Sequence, residues 1–185
     1  HKDDMGKPTM KSAIKTVLLS LLAATSISAS ALGVGDQAPD FILQGTDGKS
    51  YSLSQFKDKE AVVIAWFPKA YTSGCTIECK SLAQNGHLLK DLEVTYFMAS
   101  VDPIEENTAF AAEFEADFQL LSDPSKEVAS AYDVLAIYGL PKRHTFYIGK
   151  DGKILFIDTA VKPATSAEDM AAKLKELGIP SRQAS

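Results

Sequence analysis

Both cysteines of this 185-residue chain lie in one heptapeptide, SGCTIEC, at positions 73–79. Thiols four residues apart suit three chemistries. They can act as a redox pair, bind a soft metal ion such as Cu(I), or close a structural disulfide. A bridge between Cys75 and Cys79 would close a very short loop, and short loops gain least from a crosslink. The spacing therefore favours reactivity over stapling, and redox and metal chemistry both stay open at this level.

The elements that must position the pair can be read around it. AVVIAWFP (61–68) is a near-continuous apolar run, the pattern of a strand buried on both faces. The loop KAYTSG follows, and a helix is predicted from about Ser73 or Gly74 to Leu89. VTYFMASVD (94–102) reads as a second buried strand. IEENTAFAAEFEAD carries Ala109, Phe110 and Phe114 at helical spacing. FQLLSD reads as a short strand and SKEVASAYDV as a helix. HTFYIG and ILFIDT flank Lys150-Asp151-Gly152 as a hairpin, and SAEDMAAKLKEL closes as a helix ending at Gly178. An earlier hairpin spans Asp40–Phe56 around Asp47-Gly48. Strand–helix alternation predicts an α/β domain with a mixed central sheet, parallel at its centre and flanked by helices. The cysteines then fall where the first central strand hands over to its helix, at the sheet edge where reactive groups gather.

The first thirty-one residues read separately. From Met10, a basic start (Lys11, Lys15) leads into an apolar run, Val17–Ala24, and ends in Ala29-Ser30-Ala31. This is the layout of a secretory signal peptide cleaved after Ala31. The apolar run is shorter than the roughly 20 residues a membrane span needs, and no cysteine near the cleavage point offers a lipid attachment. Residues 1–9 are an upstream leader with no readable role. One domain, 32–185, is expected beyond them, exported and without a membrane anchor once the segment is removed. Outside the cytosol thiols drift towards disulfides. Net charge is −5, acidic and basic residues are interspersed and no basic stripe appears, which argues against nucleic-acid binding.

FPKAYTSGCT resembles the active-site loop of peroxiredoxins, Pro-x-x-x-Thr-x-x-Cys, filled here by Pro68, Thr72 and Cys75. RHTFYIGKDGKI resembles the family's Arg-x-Thr-Phe strand and places Arg143 at its arginine. The similarity runs from about Val34 to the final helix and is nearest to the Q-type, or bacterioferritin comigratory, subfamily. It implies a thioredoxin-like fold, reduction of hydroperoxides by a cysteine thiolate, no cofactor or metal, a thioredoxin-like protein or other thiol as reductant, and a monomer; the export segment adds a bacterial periplasm as the expected compartment. The usual Q-type resolving cysteine lies five residues after the peroxidatic one. Lys80 stands there, and Cys79 comes one residue earlier.

On this resemblance Cys75 is the nucleophile. A free cysteine, with a pKa of about 8.5, is mostly protonated at neutral pH, and a shift of ~2–3 units takes about 3–4 kcal/mol. A helix N-terminus supplies ~0.3–1 kcal/mol and at best ~2, so a fixed cation must add the remainder, and Arg143 is the candidate. The Thr72 hydroxyl is expected to donate to the thiolate and accept from the peroxide, and Pro68 to shape the loop and shield the sulfur. The product, a sulfenic acid, needs resolving before over-oxidation, and Cys79 is the available thiol. Helical i, i+4 side chains have Cβ atoms ~5–6 Å apart, whereas a disulfide needs about 3.5–4.5 Å, so the first turn is expected to unwind on oxidation. Glu78 reads as a solvated helix residue and His144 as facing away from Arg143. Two rival readings compete with this one. A Sco-like copper chaperone would use Cys75, Cys79 and His144, but Thr76 and Lys80 stand where its prolines usually sit. A thiol-disulfide oxidoreductase typically carries Cys-x-x-Cys, one residue fewer.

Overall fold

The computed structural model describes residues 31–182. Residues 1–30, with all but the last residue of the expected export segment, lie outside them.

Seven strands form one mixed sheet in the order β2-β1-β5-β4-β3-β6-β7. The first hairpin is β1 (Ile42–Gly45) and β2 (Ser50–Ser52). The centre is β3 (Ala61–Trp66), β4 (Val94–Ser100) and β5 (Gln119–Ser122), paired in parallel. β6 (Thr145–Ile148) lies antiparallel on β3, and β7 (Ile154–Asp158) antiparallel on β6. The helices are α1 (Ser73–Asn85), α2 (His87–Lys90), α3 (Ile104–Glu113), α4 (Glu127–Ala131) and α5 (Ser166–Glu176). The expected single helix ending at Leu89 is divided at Gly86, where a Cβ would sit 2.5 Å from the Tyr96 hydroxyl and still closer to the Leu82 carbonyl.

Strand β3 shows why its run is apolar throughout. Val63, Ala65 and the following Phe67 face a core shared with Leu82, Leu89, Phe110 and Leu174. Val62, Ile64 and Trp66 face a second core with Phe41, Leu43, Tyr132 and Phe146. Alternate side chains point to opposite faces of a strand, and here both faces are covered, so no polar position is left in the strand. Both cysteines belong to the first of these cores.

Candidate active site

Phe67 makes the last ladder contact of this edge, its N–H donating to the Ala99 carbonyl at 2.9 Å. Pro68 follows and has no N–H with which to extend the ladder. The loop turns beneath the end of β4, where the buried carboxylate of Asp102 accepts the Ala70 N–H at 2.9 Å. Tyr71 adopts φ +66°, a left-handed conformation that is uncommon outside glycine. Its ring packs edge-on against Phe110 at 5.1 Å, which secures that conformation. Thr72 is the N-cap of α1 in extended conformation, and its carbonyl accepts the Thr76 N–H. Its hydroxyl donates to the Lys69 carbonyl at 2.7 Å. The expected donation to the sulfur is therefore not made, because the loop itself takes that proton. The hydroxyl oxygen keeps its capacity to accept.

Cys75 is the third residue of α1, fully buried, at a helix N-terminus whose first turn carries no acidic residue. The positive end of the helix dipole is thus free to act on the sulfur. Arg143 lies just before β6 and not on it. The backbone delivers it to the site because the Trp66 N–H donates to the His144 carbonyl at 2.9 Å, holding the segment against the end of β3. Arg143 Nη2 donates to Cys75 Sγ at 3.0 Å. Its Nη1 lies 3.7 Å from Glu78 Oε1.

Glu78 is fully buried, contrary to its expected place in solvent. It follows Cys75 by three residues and so shares its helical face, a spacing that could have flagged it. Burial pushes its carboxyl up to about 7, against the opposing pull of Arg143 and, more weakly, of the Ser166 hydroxyl. Neither carboxyl oxygen has a hydrogen-bond partner of full geometry. Cys79 is also fully buried and free. Burial, with the charge of Glu78 second, pushes its thiol up to about 12.

The chain matches the AhpC/TSA family model over residues 34–157. It is 32% identical over 152 residues to Peroxiredoxin Bcp of Escherichia coli K12, covering 78% of this chain and 97% of that one. The chain belongs to the AhpC/TSA family, the peroxiredoxins. Peroxiredoxin Q, chloroplastic, of Triticum aestivum is 32% identical over 137 residues, 73% of this chain and 63% of the longer relative. The crystal structure of Peroxidoxin BcpB from Mycobacterium tuberculosis superposes with a TM-score of 0.70 at 29% identity, covering 78% of this chain and 97% of that one. The relatives place the chain in the Q/Bcp subfamily and its sheet among thioredoxin-fold peroxiredoxins.

As in the family's motif, Pro68, Thr72, Cys75 and Arg143 converge on one edge of the sheet. Cys79 lies one helical turn further along α1. His144 touches the site only through its backbone, and among the described residues no three of His, Cys, Asp and Glu form a metal-binding group. Trp66 and Phe67 are core residues and Tyr71 is half-exposed, while His87 lies on the surface. Asp102, which anchors the loop, carries no motif of its own that would have marked it. Gly74 has a steric role in this peroxiredoxin: a Cβ there would lie 2.9 Å from Arg143 Nη2. Gly74→Ala is therefore expected to keep the fold and push the guanidinium off the sulfur, slowing peroxide reduction about tenfold, the scale of a partly lost charge-assisted hydrogen bond. Stopped-flow rates set beside far-ultraviolet circular dichroism check this.

Proposed function

We propose that the protein is an exported antioxidant enzyme, a thiol-dependent peroxidase that reduces hydrogen peroxide and organic hydroperoxides and so serves redox homeostasis. The observation that carries this reading is the 3.0 Å contact between Arg143 and the Cys75 sulfur at a helix N-terminus. Two preorganised positive groups aimed at one atom stabilise an anion there.

The Cys75 thiolate attacks one peroxide oxygen. The S–O bond forms as the O–O bond breaks, and the departing RO⁻ takes a proton to leave as alcohol or water. Arg143 can hold both sulfur and the attacked oxygen in its planar fork. The exposed Thr72 oxygen accepts from the peroxide hydroxyl, and Pro68 starts the loop that shields the sulfur.

Cys79 then attacks the sulfenic sulfur, forming a disulfide and releasing water. While packed in the core it is a thiol and not a thiolate. Unwinding of the first turns of α1 brings the two sulfurs within bonding distance and exposes Cys79 to solvent, where it ionises more readily. Two thiols of an exported thioredoxin-like donor would restore the reduced pair. The basic and apolar layout of residues 10–31 supports export, to a bacterial periplasm on this reading. We take the working unit to be a monomer.

Rapid mixing of the reduced protein with hydrogen peroxide, followed by a count of free thiols, tests the assignment. The native protein is expected to lose both thiols far faster than a free cysteine does. Cys79→Ser is expected to lose one and stop at a trappable sulfenic acid. Unchanged turnover of Cys79→Ser with an added thiol would assign resolution to an external thiol. A native rate equal to that of free cysteine would sink the peroxidase reading.

A further inference from the structure

The chain enters the fold at one fixed point. Leu32 is half-buried and packs against the core that holds Trp66 and Tyr132. Its backbone N–H donates to Asp133 Oδ2 at 2.8 Å, across 101 positions of sequence. From there the segment is tied down step by step. Gly33 N–H donates to Asp36 Oδ2 at 2.8 Å, Gly35 N–H to the Ile154 carbonyl at 2.8 Å, and Ala38 N–H to the Gly152 carbonyl at 2.9 Å. Ala31, one residue upstream of Leu32, is exposed.

Asp133 lies just beyond α4 at φ +56°, with its own N–H on the Ser130 carbonyl at 3.0 Å. Among the described residues no Lys, Arg or His forms an ion pair with its carboxylate. Two other charged residues border the strip. Asp36 on the same segment is engaged by Gly33, and Lys153, at the start of β7, lies opposite Gln37.

We infer that Asp133 is the receptor for the α-amino group that export processing creates at Leu32. This rests on the export reading above. The Ala29-Ser30-Ala31 pattern puts the scissile bond after Ala31. The fold, a separate observation, puts its first long-range contact on the very next nitrogen. Hydrolysis of that bond consumes one water: the Ala31 carbonyl leaves as a carboxylate, and the Leu32 nitrogen becomes an ammonium. A neutral N–H facing Asp133 is replaced by a cation with three N–H groups, so a hydrogen bond with one charged partner becomes an ion pair. The processed protein thus differs from its precursor at the point where the chain enters the fold. Asp133 also opens the stretch leading to Arg143, in which the Lys142 N–H returns to the Val134 carbonyl at 2.7 Å. The captured terminus therefore borders the segment that carries the guanidinium.

The test compares a chain beginning at Leu32, released from a fusion partner, with its Asp133→Asn variant. That chain keeps both cores and every strand and helix described above, and asparagine tolerates the left-handed conformation at position 133. An α-amino group ordinarily titrates at about 7.7–8.0, and an anion beside it favours its charged form. Followed by heteronuclear NMR, the Leu32 amine is expected to titrate about half a unit higher in the native chain than in the variant, roughly a threefold difference in free amine at pH 7. Coincident titrations would overturn the inference and leave the export reading standing. Export is read separately, by mass spectrometry of the full-length chain after secretion into the periplasm of a bacterial host. Leu32 is expected as the first residue. Any other first residue overturns the inference through the export reading, whatever the titration gives.

Discussion

Cys75→Ser is expected to abolish peroxide consumption, lowering the second-order rate constant by on the order of 10⁴-fold or more, the scale felt when a covalent nucleophile is removed. The reason is chemical and not structural. A serine hydroxyl stays protonated at any working pH, and oxygen does not form the sulfenic state from which the cycle continues. The fold should survive, because serine fills nearly the same space beneath the loop and its hydroxyl can still accept from Arg143 Nη2. Stopped-flow peroxide assays and circular dichroism on the same sample separate the two effects. A variant that folds and still consumes peroxide would remove Cys75 from the mechanism.

Arg143→Met comes next in size, with an expected loss of about 10²-fold. A hydrogen bond to a charged group is worth about 1.5–3 kcal/mol, and each 1.36 kcal/mol is tenfold in rate. The loss should lie at the upper end, since this contact is mostly shielded from water and the helix dipole alone supplies ~2 kcal/mol at best. Methionine keeps much of the length of the side chain while removing the charge. Arg143→Lys should recover part of the rate but not all, because a point charge cannot reach the sulfur and Glu78 together as the planar fork does. Rate constants measured across a range of pH check both. The methionine variant should also leave Glu78 protonated to higher pH, since Arg143 is the charge that favours its ionised form. A methionine variant as fast as the native protein would show that the helix N-terminus suffices.

Much of the fold was legible because its signals are local. The run 61–66 has no polar residue, since both faces of β3 are buried, and Pro68 ends it where the ladder ends. Strand–helix alternation and the Asp-Gly turns gave the sheet its parallel centre and its two flanking hairpins. The candidate site was legible as residue types: the resemblance pointed to Cys75 and Arg143, and the structure sets Arg143 Nη2 3.0 Å from the Cys75 sulfur. What stayed hidden depends on contacts between distant segments. Glu78 looks like a surface helix residue until Arg143, 65 positions away, comes to lie over α1. Asp102 matters only because the end of β4 sits under the loop. The Thr72 hydroxyl turns back to Lys69, a choice made by loop conformation that no motif records. The break at Gly86 answers to Tyr96, which belongs to another strand.

Cys79 shares its core with Leu82, Leu89, Met98 and Phe110, and on the proposed cycle this ties redox poise to fold stability. Each oxidation must draw one residue out of a packed interior, so the free energy of that packing enters the reduction potential of the pair. For a two-electron couple 30 mV corresponds to about 1.4 kcal/mol, so a substitution that loosens the packing around α1 by that amount would make the oxidised form about 30 mV harder to reduce. One that tightens it would make the protein a stronger oxidant towards its donor but slower to form its own disulfide. Residues far from the sulfur, on the buried face of α1, can therefore set how long the sulfenic acid persists, and with it how much oxidant the protein withstands before irreversible oxidation.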